Sequence, residues 1–213
     1  MSSYIGNVSN IFLEYEKLWA KASQIPGYIT KYEGLTLYML SAAYSAMGNI
    51  IELGPFCGRS SVIIGQGMLS TISDNKLICI DDFSKQKSQT FPSMNNPKEE
   101  LLKNIKYFNL EKIFTLYDMD SSAALNLFNK QTAGMIFIDS KHTEKQIRKE
   151  FPAALNIINS NGVILLHDYK NLHVEKKYSK WITENIVMQY ETVYIKDSTP
   201  KYAGNGLLVI MQK

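Results

Sequence analysis

The sequence is short of cysteine, histidine and long apolar runs, and each shortage removes a class of protein. Two cysteines among 213 residues, Cys57 and Cys79, do not make a disulfide scaffold. Cys79 lies in the apolar run Leu77-Ile78-Cys79-Ile80 and reads as a small core residue. Cys57 lies in a glycine turn with no histidine near it in sequence, which favours space filling over nucleophilic attack. No apolar run approaches the ~20 residues that cross a bilayer. Residues 1–20 carry Glu14, Glu16 and Lys17 where a secretory signal would be continuously apolar, so a cytoplasmic protein is expected. An excess of charge is also missing. The 23 Lys and Arg against 20 Asp and Glu leave +3, too little to mark a nucleic-acid groove. Internal repeats and low-complexity tracts are absent from the sequence.

What is present is an ordinary globular composition, 45% hydrophobic and 20% charged, enough to bury a core without staples. Val8, Ile11, Phe12, Tyr15, Leu18 and Trp19 predict an amphipathic helix over 8–22, broken by Pro26-Gly27. A second helix is predicted over about 31–47. Strands then alternate with helices. Strands are expected at 49–53, 76–80, 113–117, 134–138 and 163–166, with helices at 59–72, 98–108, 121–130 and 143–158. Residues 84–97 read as a loop. A helix around 174–185 precedes two last strands, about 189–195 and 206–212, with no helix between them. The pattern predicts an α/β fold: a doubly wound, Rossmann-like, mostly parallel sheet with an antiparallel C-terminal edge strand and extra N-terminal helices. One domain, 1–213, is expected, with 1–47 as a helical cap and 48–213 as the core.

The first strand runs into Glu52-Leu53-Gly54-Pro55-Phe56-Cys57-Gly58. Glycine turns at this place cradle nucleotide-like ligands at a helix N-terminus. A triphosphate loop would need glycine at 53, which is Leu, and Lys at 59, which is Arg. A dinucleotide loop would need glycine where Phe56 stands. A nucleoside ligand without phosphates suits Gly54 and Gly58, and the Glu52 carboxyl favours one that carries an ammonium group. A bare strand-to-helix turn would also explain a lone glycine pair. Polar residues at the other strand ends shift the balance: Asp81 and Asp82, Asp120 and Ser121, Asp139, then His167 and Asp168. Asp120 and Asp139 also suit helix N-caps.

Together these segments resemble the class I S-adenosylmethionine-dependent methyltransferases. They are most similar to the small-molecule group of macrocin-type O-methyltransferases and cephalosporin-hydroxylase-like proteins. The matching motifs are Ile51-Glu52-Leu53-Gly54 to Gly58-Arg59-Ser60-Ser61, Ile80-Asp81-Asp82-Phe83, Met119-Asp120-Ser121, Phe137-Ile138-Asp139-Ser140-Lys141-His142 and Asn161-Gly162 to His167-Asp168-Tyr169. The likeness covers roughly residues 28–212. It implies that Glu52, Gly54, Phe56, Gly58 and Ser60 surround the methionine end of S-adenosylmethionine. Asp81, with Asp82 beside it, would hold the ribose, Asp120 with Ser121 would face the adenine, and Asp139 would also lie along the cofactor. Relatives hold a divalent metal at the positions of Asp139, His167 and Asp168. Ser140 and Lys141 depart from the family pattern, and His167 departs from its acidic pair. Magnesium prefers all-oxygen ligands, so a softer ion or none is expected.

Methyl transfer needs an aligned acceptor and a base. His142 is the preferred base, with His167 as the second candidate and Asp139 beside them; His173 reads as surface loop. The expected acceptor is a small molecule or sugar, approached by Tyr28, Tyr32, Phe91, Tyr169 and Tyr178, aromatics that would equally suit a core. Lys141 would pair with an acidic acceptor or be solvated, and the basic run from Lys170 to Lys180 reads as a solvated helix face ahead of a contact for an anionic acceptor. Two other functions stay open. One is a Rossmann-like nucleotide binder that transfers no methyl group. The other is a nucleic-acid ribose methyltransferase, which the weak net charge disfavours. Membrane partners are not expected. A homodimer could use the helix bearing Phe12, Tyr15 and Trp19.

Overall fold

The computed structural model describes residues 2–84, 96–170, 174–196 and 206–211, without the side chains of residues 2–9. Two helices come first, α1 (Ser2–Ala22) and α2 (Lys31–Tyr44), the second followed by a 3-10 turn at Ser45–Met47. Five parallel strands follow: β1 (Asn49–Leu53), β2 (Leu77–Asp81), β3 (Phe114–Asp118), β4 (Ala133–Ile138) and β5 (Ile158–His167). The helices between them are α3 (Arg59–Leu69), α4 (Pro97–Tyr107), α5 (Ser121–Leu125) and α6 (Glu144–Ile157). The chain closes with α7 (Lys176–Ile182), a π turn at Thr183–Val187, β6 (Glu191–Lys196) and β7 (Gly206–Met211).

The seven strands form one sheet in the order β3-β2-β1-β4-β5-β7-β6. Alternate residues of each strand serve its two faces. Ile50, Cys79, Met135, Phe137 and Leu165 pack with α1 to α4 on one side. Ile51, Ile80, Ile136, Ile138 and Leu166 pack with α5 to α7 on the other. Both faces of the central strands are therefore covered, as a parallel sheet requires.

The antiparallel C-terminal pair lies at the edge of the sheet, as predicted, with β6 rather than the last strand outermost. β7 inserts between β5 and β6 and pairs antiparallel with both. Its run Gly206-Leu207-Leu208-Val209-Ile210 is buried throughout, whereas β6 alternates exposed and half-buried residues. A strand that alternates in this way tolerates an edge, and one that is apolar on both faces does not. Two boundaries also move. The helix predicted to reach 130 stops at Leu125, where Asn126 and Asn129 are weak helix formers and Leu127 points to solvent. The strand expected at 163–166 begins earlier, at Ile158, with an irregularity inside β5: Ala133 pairs with Ile158, yet Met135 pairs with Val163.

The N-terminal helices are tied to α3 and to each other. The Arg59 guanidinium donates to the carbonyls of Ile25, Ile29 and Ser23 at 2.8, 3.1 and 3.2 Å. On α1, Tyr15 is 1% exposed, and its hydroxyl donates to the carbonyl of Lys31. Tyr15 is thus spent within the chain, and Trp19 packs partly buried on the core. Only Phe12 of the expected dimer surface remains exposed, beside Ile11 and Leu13. No helix among the described residues is long and apolar enough to cross a membrane.

Candidate active site

The strand order reverses between β1 and β4, so their C-terminal ends flank the switch point where open α/β sheets bind ligands. Gly54 leaves β1 there with φ +86°, and a Cβ on it would stand 2.4 Å from the carbonyl oxygen of Asp139. The glycine is needed because two strand ends meet, as well as for any ligand. Gly58 opens α3 in the left-handed region at φ +90°. Between them Phe56 also takes a positive φ of 50° and lies partly buried against the core, its ring 6.2 Å from that of Tyr28. Cys57 is buried, and burial pushes its thiol up to about 12, which leaves no reactive thiolate.

Glu52 lies beneath this loop, fully buried. Its Oε2 accepts from the Ser61 hydroxyl at 2.5 Å and from the Cys79 thiol at 3.3 Å, while Oε1 has no hydrogen-bond partner among the described residues. Burial lifts its carboxyl to about 7, against the pull of the Ser60 and Ser61 hydroxyls. At the end of β2, Asp81 accepts from the backbone N–H of Phe83 at 2.8 Å, and burial raises its pKa. Asp82 is held at about 2 by Ser84 and by Lys141, whose ammonium is 3.0 Å away. Lys141 thus bridges two strand ends.

At the third strand end Asp120 is the N-cap of α5, accepting from the Ala123 N–H and the Ser122 hydroxyl. Ser121 turns its hydroxyl to Glu150, a residue of α6 that is 1% exposed. Ser140 donates to both oxygens of Glu150 at 2.7 Å, and Gln146 donates to Glu150 and Ser121 at 2.9 Å. Ser140, unusual for the motif, therefore serves a buried network under the site. Glu150 and Gln146 escape a reading of strand ends because they lie on a helix; their i, i+4 spacing is the only sequence signal.

The fourth and fifth strand ends converge. His167 is 1% exposed, with Nδ1 2.9 Å from Asp139 Oδ1 and 3.6 Å from Asp168 Oδ2. His142 brings Nε2 to 3.3 Å from the same Asp139 oxygen, without hydrogen-bond alignment. The next helix is capped by Thr143, which leaves both Asp139 and His142 free of that duty. The ring of His142 rests edge-on against Tyr178 at 5.6 Å. Burial pushes the Asp139 carboxyl up, but His167 and His142 more than offset it and hold it at about 2. Burial also opposes the His167 imidazolium, yet Asp139, Asp168 and Glu33 raise its pKa well above 6.5. Glu33, from the first turn of α2, stands 3.4 Å from His167 Nε2. The sequence signals Glu33 only as part of a capping box, Thr30-x-x-Glu33.

One oxygen of Asp139 and one nitrogen each of His142 and His167 lie within 4.8 Å of one another. This donor set is two imidazoles and a carboxylate, so it suits a borderline ion better than magnesium. His142 stands in it where Asp168 was expected. Asp168 takes a left-handed φ of 57° and keeps Oδ1 without a hydrogen-bond partner among the described residues. Of the expected acceptor aromatics, Tyr169 and Tyr178 are core residues, whereas Tyr28 and Tyr32 are exposed. Phe91 and His173 lie outside the described residues.

A family profile described as a methyltransferase domain matches residues 51–169, more than half of the chain. The chain belongs to this methyltransferase family. The match runs from the glycine loop to the residue after Asp168 and so spans the five parallel strand ends. Among solved structures, the O-methyltransferase from Bacillus cereus in complex with SAH (S-adenosylhomocysteine) is 16% identical at a TM-score of 0.66, covering 95% of this chain and 91% of that one. The O-methyltransferase TomG from Streptomyces achromogenes, in complex with SAM, is 14% identical at 0.66, over 95% and 90%. The SAH-bound methyltransferase PaMTH1 from Podospora anserina is 12% identical at 0.62, over 93% and 87%. At these identities the likeness is one of fold.

Proposed function

We propose that this methyltransferase moves the methyl group of S-adenosylmethionine onto a hydroxyl oxygen of a small molecule or sugar. One observation carries the reading: Asp139, His142 and His167 converge beside the β1–β4 switch point, where the glycine loop lies. The solved structures of the same fold that hold SAM or SAH support the choice of cofactor.

The loop residues Gly54, Gly58 and Ser60 shape the seat of the methionine end. Glu52 Oε1, buried without a hydrogen-bond partner among the described residues, is the acceptor for its ammonium group. Phe56 fills the space a diphosphate would need. Asp81 takes the ribose hydroxyls. Asp82, Asp120 and Ser121 line the crevice while holding Lys141, the start of α5 and Glu150 in place.

S-adenosylmethionine, when bound, supplies an activated methyl group whose leaving atom needs no protonation. The protein has to align the acceptor and take one proton. His142 is that base. Its ring is 23% exposed, so an acceptor can reach it, and Asp139 lies on its Nε2 side. Nδ1 takes the acceptor proton, and Asp139 stabilises the imidazolium that results. His167, 1% exposed and engaged at Nδ1 by Asp139, offers an acceptor no free face and is not the base. Asp139, His142 and His167 are also the residues that would hold a divalent ion, which would supply Lewis-acid activation of the acceptor oxygen in place of the free His142 base. The reading takes residues 1–213 as one domain in the cytoplasm.

The test is ligand-dependent stabilisation. SAH should raise the melting temperature, and NAD and ATP should not. The reverse result would replace this function with a nucleotide-binding one.

A further inference from the structure

His167 is held from two sides, and one of them lies outside the sheet. Glu33 is the third residue of α2 and is 1% exposed. Its two oxygens face different partners. Oε2 accepts from the backbone N–H of Thr30 at 2.9 Å and closes the capping box with the Thr30 hydroxyl. That bond fixes the carboxyl group and leaves Oε1 3.4 Å from His167 Nε2. Neither atom has a hydrogen-bond partner among the described residues, and their 3.4 Å approach is a close contact without hydrogen-bond alignment in this arrangement. At the opposite edge of the ring, Nδ1 meets Asp139 at 2.9 Å, and the same Asp139 oxygen is 3.3 Å from His142.

We propose that Glu33 is a positioning residue, which takes the Nε2–H of His167 and thereby fixes the ring that Asp139 and His142 lean on. Its catalytic meaning rests on the function proposed above. A ring bound at one nitrogen can still tilt and exchange tautomers. A ring bound at both edges has one tautomer and one plane. The contact works equally whether a proton or an ion occupies Nδ1. Capping α2 does not by itself explain Glu33, because a cap uses one oxygen and can sit in water. Here the second oxygen is buried against an imidazole. The helical cap, often read as a cover over such a sheet, thus supplies part of the active-site frame.

The experiment follows the ring proton. In protein labelled with 15N-histidine, His167 is assigned with a His167→Gln variant. The wild type should show a slowly exchanging ring N–H at Nε2. Glu33→Gln keeps an acceptor oxygen at the same reach and should keep the signal. Glu33→Met keeps the length and packing without an acceptor and should speed exchange at least tenfold. Thr30→Ala removes the capping hydroxyl but leaves the Thr30 N–H that anchors Oε2, so it should keep the signal. An unchanged signal in Glu33→Met would overturn the proposal, as would equal loss in Thr30→Ala. SAH calorimetry on the wild type tests the proposed function separately; its failure would leave the ring signal, and the role of Glu33, standing.

Discussion

The Nδ1 atom of His167 lies 2.9 Å from Oδ1 of Asp139, and this contact joins the ends of β4 and β5. His142 approaches the same oxygen at 3.3 Å. Two histidines from two strand ends therefore share one carboxylate oxygen of Asp139, and the expected behaviour of the site follows from that sharing.

Replacing His142 removes the base and leaves the cofactor seat intact. His142→Ala should lower methyl transfer by about 10²- to 10⁴-fold. Its affinity for SAH should stay within roughly twofold of the wild type, since His142 is placed on the acceptor side. Transfer of labelled methyl groups into a metabolite extract, with calorimetry for SAH, measures both.

Glu52 predicts two opposite pH dependences. Burial lifts its carboxyl from 4.5 to about 7, so the folded protein holds a proton that the unfolded chain has released between these values. Its contribution to stability is complete below pH 4.5 and is lost as pH rises through 7. Cofactor binding runs the other way, because only the ionised carboxylate holds an ammonium group. SAH affinity should fall by about tenfold per pH unit below that pKa. Glu52→Gln should flatten both curves, as urea denaturation and calorimetry across pH 5–8 would record.

The two imidazoles in the donor set predict selectivity among ions. Cobalt(II) or zinc should bind more tightly than magnesium, and His142→Ala or His167→Gln should weaken that binding by about tenfold or more. Titration calorimetry and the visible spectrum of bound cobalt report the site directly. Turnover that is undiminished in excess chelator would exclude a catalytic ion.

Gly54 cannot accept a side chain. Gly54→Ala would put a methyl group 2.4 Å from the Asp139 carbonyl at a φ of +86°. The cost should exceed about 2 kcal/mol, from backbone strain and displacement of the β4 end. Chemical denaturation checks the stability, and loss of SAH binding in the folded fraction checks the displacement.

Much of this was legible along the chain because it is local. Continuous apolar runs such as Val163–Leu166 mark buried strands, and the glycines and Asx residues between them mark the turns. Asp139 and His167 could be placed at strand ends because a strand end is a position in sequence. Glu150 could not be found in that way. It is a helix residue, and only the packing of α6 against β4 brings it under Ser121 and Ser140. The β7 position is intermediate. Its uniform burial and the alternation of β6 are both written in the sequence, but which strand lies inside is settled when they pair.

By itself the sequence determined the alternation of strands and helices, the glycine loop and the residue types available at each strand end, since these follow from periodicity and local backbone preference. Only the tertiary structure decided which of those residues meet. Asp139 with His142, then His167, then Glu33 come from three separate places in the chain, and nothing in the spacing between those places encodes the distances across them. The register of β4 on β5 and the docking of α2 set those distances, because packed elements fix each side chain through neighbours far away in sequence.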